Sequence, residues 1–280
     1  MPNFSDNLPV GAREGEVVYP TGAPVVEPAA RSRFAGVKQS PATYLLLAIN
    51  IAVFLWMGYR GVDLRLPSLP DLLHFGANNS GLVLEHGQWW RLITAMFVHV
   101  GLLHLATNMW CLWNLGLLGE PLLGFFGMVC VYLLSGAAGN LLSLFWDVAT
   151  KQFGSVGAGA SGAVFGIAGI LIVLLSNKRL AEDRGGRPGI PWPELRGLRK
   201  SVIQFAALNL GIGLASRMFD VIRIDNTAHI GGFVCGLAMG LPLLPKMTSG
   251  RANYLERQKV AFAGFALVLA LFGYFVARLL

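Results

Sequence analysis

Ser161 lies in Gly157-Ala158-Gly159-Ala160-Ser161-Gly162-Ala163-Val164-Phe165-Gly166, a glycine-rich lead into an apolar helix. A serine hydroxyl is a poor nucleophile until a base takes its proton and something cradles the oxyanion that follows. His229 opens a second apolar segment, and an imidazole within hydrogen-bond reach of Ser161 would complete a nucleophile–base pair. In a third apolar segment, the four-residue spacing of His104 and Asn108 puts both on one helical face. Each residue alone also has a plain reading. Ser161 suits helix packing, His229 a satisfied buried histidine or a proton path, and His104 and Asn108 a hydrogen bond to a neighbouring helix. His99, five residues before His104, faces elsewhere and reads as structural.

The elements that must position these groups are membrane helices. Hydrophobic residues make up 54% of the chain and charged ones 13%, more apolar surface than a soluble domain can hide. Seven apolar segments, 42–58, 91–117, 122–145, 161–177, 200–216, 228–244 and 260–277, each approach the length of a helical span. The expected fold is therefore an all-α polytopic membrane bundle. The second segment is overlong, which puts part of it in the interface. The 59–90 connection, with Trp89-Trp90-Arg91 at its end, reads as an ordered element at the headgroup level.

The net charge of +7 reads as membrane orientation, not nucleic-acid binding. The first forty residues, the 178–200 connection and the 245–259 connection hold 15 of the 22 Lys and Arg residues. Among them are Arg184 and Arg187. The positive-inside rule then places the N-terminus in the cytoplasm and, after seven spans, the C-terminus outside. On that topology Ser161, His229, His104 and Asn108 all converge on the external side. Residues 1–40, rich in Pro, Gly and Ala, read as a disordered cytoplasmic tail without a targeting signal. Cys111, Cys130 and Cys235 lack CxxC spacing and read as small core residues. No metal or cofactor is expected.

The glycines offer a way to bring the groups together. His229, Gly232, Gly236 and Gly240 form one stripe at i, i+3, i+7 and i+11. A stripe without side chains lets another helix come close. If the Ser161 helix docks there, the imidazole reaches the hydroxyl. No carboxylate is evidently placed to orient the ring, and Asp225, one turn upstream, reads as a solvated loop residue. A dyad is expected.

Over residues 90–245 the chain resembles the rhomboid family of intramembrane serine proteases. The likeness rests on Trp90-Arg91, on His99, His104 and Asn108, on Gly159-Ala160-Ser161-Gly162, and on Ala228-His229-Ile230-Gly231-Gly232-Phe233-Val234-Cys235-Gly236. The resemblance implies a six-helix catalytic core over 41–245, with 246–280 supplying a cytoplasmic connector and an appended seventh span. It implies Ser161 as nucleophile, His229 as base and then acid, and an oxyanion hole from His104, Asn108 and the Ser161 N–H. It further implies that Gly159 keeps the approach open, that Phe165 stacks on His229, and that Glu120 is structural. By the same resemblance the substrates are transmembrane proteins of the bilayer, and the simplest location is a bacterial inner membrane. Two alternatives stand beside it: a non-catalytic relative that binds membrane helices, and a small transporter with a His/Ser/Asn-lined path.

Overall fold

A computed structural model describes residues 35–182, 190–218, 225–247 and 249–279. The tail expected over 1–40 lies outside the described residues up to position 34, as do Arg184 and Arg187. The chain divides into Met1–Ala35 and Gly36–Leu280, and the architecture that follows belongs to the second unit.

In order, the chain forms α1 (Ala35–Gln39), α2 (Pro41–Tyr59), α3 (Leu69–His74), β1 (Asn78–Asn79), α4 (Ser80–Leu84), α5 (Arg91–Thr94) and α6 (Leu102–Thr150). There follow β2 (Val156–Gly157), α7 (Ser161–Leu174), α8 (Trp192–Met218), α9 (Asn226–Gly240) and α10 (Arg251–Ala277). Backbone polar groups in hydrocarbon must find partners within their own segment, which selects helices. Among the described residues, four helical stretches are long and apolar enough to cross a membrane: Pro41–Tyr59, Leu102–Thr150, Asn226–Pro245 and Arg251–Ala277.

The second and third apolar segments run together in α6. At about 1.5 Å per residue its 49 residues would reach about 73 Å, more than twice the hydrocarbon thickness of roughly 30 Å. The helix is broken at Gly124, whose φ of 71° follows Pro121 by less than a turn. Both ends of α6 contribute to one site, since His104 lies against Gly159 and Asn140 lines the same cavity as Gly159. The chain therefore doubles back at Gly124. The second segment also starts at Leu102, not at 91. Residues 91–97 form α5 and a 3-10 turn, and Gly101, at φ 131°, stops the helix from extending backwards.

Glu120 fixes the start of α2. Its two carboxylate oxygens accept the N–H groups of Ala42 (2.8 Å) and Thr43 (2.7 Å), and also the Thr43 hydroxyl. A helix leaves its first N–H groups without intrahelical partners, and an anion there also complements the dipole. Sequence reading took Glu120 as structural, and this contact is of that kind.

At the centre stands α7, buried along nearly its whole length. Its contact with α9 is made by backbone. A Cβ at Gly232 would lie 2.0 Å from the Gly162 carbonyl oxygen, and one at Gly236 2.0 Å from that of Gly166. From the other side, a Cβ at Gly169 would meet the Phe233 carbonyl oxygen at 2.4 Å. At the periphery, α10 is held to the break in α6 by buried Gln258, whose Nε2 donates to the Leu123 carbonyl at 2.8 Å.

Candidate active site

Ser161 is the first residue of α7, and the preceding Ala160 contributes no side-chain cap. The Ser161 N–H is thus among the amides a helix start leaves free to donate. The strand pair β1–β2 holds the chain leading into it, with Asn78 opposite Gly157 and Asn79 opposite Val156. Gly159 then donates its N–H to the Ala95 carbonyl at 2.9 Å. Only glycine suits this position: φ is 127°, and a Cβ would sit 2.6 Å from His104 Cε1.

His229 lies in the first turn of α9, buried, with its ring stacked on Phe165 at 4.5 Å between centroids and 17° between planes. Phe165 is one turn after Ser161 on α7. The stack and the Gly162–Gly232 approach bring the imidazole to the helix start that carries the hydroxyl. Among the described residues no hydrogen bond joins Ser161 to His229, and His229 Nδ1 has no partner. The neighbouring space is a cavity of about 20 Å³ bordered by Ser161, Gly159, Asn140 and Asp225. That is room for a water molecule, which needs roughly 10–15 Å³, and not for a peptide.

His104 Nδ1 accepts the Val100 N–H at 3.4 Å, so the neutral ring carries its proton on Nε2. That nitrogen is on the Gly159 side, 3.0 Å from where a Cβ on Gly159 would stand. Asn108 is buried, and its amide donates to the His104 carbonyl at 2.9 Å, leaving one N–H uncommitted by that bond. His99 does not face elsewhere: it precedes α6, so helical spacing does not apply, and its fully buried ring lies 5.4 Å from that of His104 with Nε2 unpartnered.

Trp90 and Arg91 serve the connection ahead of α6. The Arg91 guanidinium donates to the Leu73 and Ala77 carbonyls at 2.7 and 2.8 Å and lies 4.5 Å over the half-exposed Trp90 ring. They brace that connection; neither borders the Ser161 cavity.

Two residues were misread or missed in sequence. Asp225 is no solvated loop residue. One oxygen caps α9 by accepting the Ala228 N–H at 2.9 Å, and the other accepts the Ser143 hydroxyl. The cue was present: aspartate immediately before an apolar helix is a strong N-cap. Asn140, on the wall of the Ser161 cavity, donates to the Leu92 carbonyl at 2.9 Å. Nothing in its spacing marked it.

Fold and site together define a class: an all-α, multi-pass integral membrane protein with a partly buried serine and a buried histidine on glycine-joined helices. The chain belongs to the rhomboid family, whose domain model matches residues 86–246. It is 31% identical over 213 residues to the rhomboid protease AarA of Providencia stuartii, covering 71% of each chain. It is 34% identical over 205 residues to the rhomboid protease GluP of Bacillus subtilis, covering 71% of this chain and 35% of that one. With RHOMBOID-like protein 5 of Arabidopsis thaliana the identity is 35% over 188 residues, covering 67% of this chain and 54% of that one. The chain thus spans about a third of the length of GluP and about half that of the Arabidopsis protein.

Proposed function

We propose that this protein is an intramembrane serine endopeptidase that cleaves other membrane proteins in or next to their transmembrane helices. The observation that carries the reading is the α7–α9 seam, which brings the His229 ring onto Phe165, one turn from Ser161. The names of GluP and AarA point the same way.

In the proposed reaction Ser161 Oγ attacks the scissile carbonyl carbon while the His229 imidazole takes its proton. The negative oxygen of the tetrahedral intermediate lies toward the Ser161 N–H, the Nε2–H of His104 and the free amide hydrogen of Asn108. Collapse breaks the C–N bond, and His229 returns the proton to the leaving amine. Water, deprotonated by His229, then attacks the acyl-enzyme; the acid leaves and Ser161 regains its hydrogen. Gly159 keeps the carbonyl's approach clear of a side chain. No third residue is needed, because packing against Phe165 holds the ring that a carboxylate would otherwise orient.

The substrate is a membrane helix that unwinds near the external interface, because intact helical backbone is protected by its own hydrogen bonds. A cavity that admits only water requires a wall to move for that segment to enter. The wall proposed is α8, whose Phe205 ring packs 6.2 Å from Phe165. The protein is placed in a bacterial inner membrane with the N-terminus cytoplasmic and the site open to the outside. Residues 41–245 form the catalytic core, and 246–280 the connector and seventh span. Purified protein incubated with single-span membrane proteins tests the reading. Cleavage that is lost in Ser161→Ala and His229→Ala supports it; cleavage by contaminant-free Ser161→Ala overturns it.

A further inference from the structure

We propose that the crevice between α10 and the second half of α6 binds one anionic phospholipid, with an acyl chain in the crevice and the phosphate on Arg278. The crevice holds about 430 Å³, within the usual size of small-molecule sites, roughly 300–1,000 Å³. It exists because the facing residues are small: Ala137 on α6, and Ala270 and Gly273 on α10. A gap open to hydrocarbon is filled by lipid tails in any case. Its polar end makes it a site.

At that end stand Trp89, Tyr274 and Arg278. The first two line the crevice, and the Arg278 guanidinium lies 5.1 Å over the Tyr274 ring. Arg278 donates to the Tyr274 hydroxyl through Nε (3.2 Å) and Nη2 (2.9 Å). These contacts orient the planar group and leave others of its five N–H donors for a second acceptor. Arg278 is exposed, and arginine's fork matches a phosphate through paired hydrogen bonds. Trp, Tyr and Arg are the residue types that settle at the headgroup level. The crevice therefore runs from a cationic rim at that level into the apolar interior, the shape and polarity of one lipid.

The location gives the lipid a consequence. Ala137 and Leu141 face the crevice, while their neighbours Gly136 and Asn140 border the Ser161 cavity on the other side of the same helix. Leu92 also lines the crevice, and its carbonyl holds the Asn140 amide. A bound chain braces the wall behind Ser161. This effect on turnover rests on the proteolytic reading; the binding does not.

The test uses the full chain carrying a photoreactive benzoylphenylalanine in place of Leu269, a large side chain already on the crevice wall, in vesicles of equal parts phosphatidylglycerol and phosphatidylcholine. Phosphatidylglycerol is expected to be captured about fivefold more often, the preference one cationic side chain gives near an anionic surface. Arg278→Gln abolishes that preference, Arg278→Lys keeps part of it, and the same probe at exposed Leu267 shows none. Inorganic phosphate at constant ionic strength leaves the capture unchanged. Equal capture of both lipids at Leu269 identifies ordinary surrounding lipid and overturns the proposal. So does capture of a second copy of the chain, or loss of the preference to inorganic phosphate.

Discussion

Two helix pairs in this molecule meet in opposite ways. Along α7 and α9 glycine meets carbonyl oxygen so closely that no Cβ fits at Gly232 or Gly236. Between α10 and α6 one buried glutamine makes the polar attachment, and farther along the helices part to leave about 430 Å³. In lipid, apolar surface alone does not drive helices together, so association rests on close packing and a few interhelical hydrogen bonds. The first pair uses close packing and so gains a fixed distance. The second uses one hydrogen bond and side-chain packing, the Phe126–Phe262 and Phe145–Phe272 ring pairs, and so holds its distance less tightly. A hydroxyl and an imidazole that meet as the proposed dyad belong on the first kind of joint.

The sharpest way to break this contrast is to remove the groups the tight joint serves. Ser161→Ala is expected to bring cleavage of a single-span substrate to background on a gel, with the unfolding midpoint unchanged. His229→Ala is expected to do the same to cleavage, a base of this kind being worth roughly 10²–10⁴-fold. Full stability together with full activity in either variant would sever the seam from function.

Next in size is an attack on the joint itself. Gly236→Val places side-chain atoms where the Gly166 carbonyl now lies. Overpacking of this sort costs about 1–3 kcal/mol, and a 1 Å misplacement of reacting groups costs about 10²-fold in rate. Both losses are expected, read by thermal unfolding and by cleavage rate. The matched control is Gly264→Val on α10, where a Cβ meets nothing within 4 Å. It is expected to stay within about 0.5 kcal/mol of the parent and to keep its rate. Asn108→Ala falls between Ser161→Ala and Gly236→Val in activity. Loss of one proposed oxyanion donor is expected to lower turnover by about 10²–10³-fold and to leave a measurable remainder, with the proposed nucleophile and base intact.

The contrast also separates what sequence reading reached from what it did not. The seam was legible because glycine three, seven and eleven residues after His229 is itself the contact surface; the pattern and the packing are the same fact. The shared face of His104 and Asn108 followed from helical periodicity in the same way. What stayed hidden depends on backbone acceptors, which no side-chain pattern marks. Arg91 was grouped with Trp90 at the headgroup level, yet its partners are the carbonyls of Leu73 and Ala77. Asn140 holds the Leu92 carbonyl, and Gln258 the carbonyl that the Gly124 break exposes. The break in α6 was itself half visible: two apolar segments were separated correctly, while the first was begun at 91, eleven residues ahead of the helix at Leu102.

The smallest expected effect tests the loose joint. Gln258→Leu keeps bulk against Gly127 and removes the donor to the Leu123 carbonyl. In water an orphaned buried carbonyl would be costly. In a bilayer the loss averages about 0.6 kcal/mol, because the unfolded helices also find partners. Thermal unfolding is therefore expected to fall only slightly, and the cleavage rate to hold within about threefold, the factor to which the same free energy corresponds. The hydrogen bond sits at the Gly124 turn of α6, the opposite end from His104 and Asn140, so the Ser161 cavity has no direct contact with it. A rate loss as deep as that of Gly236→Val would mean that α10 transmits position to the site, and that the Gln258 bond sets the geometry there as firmly as the glycine seam does.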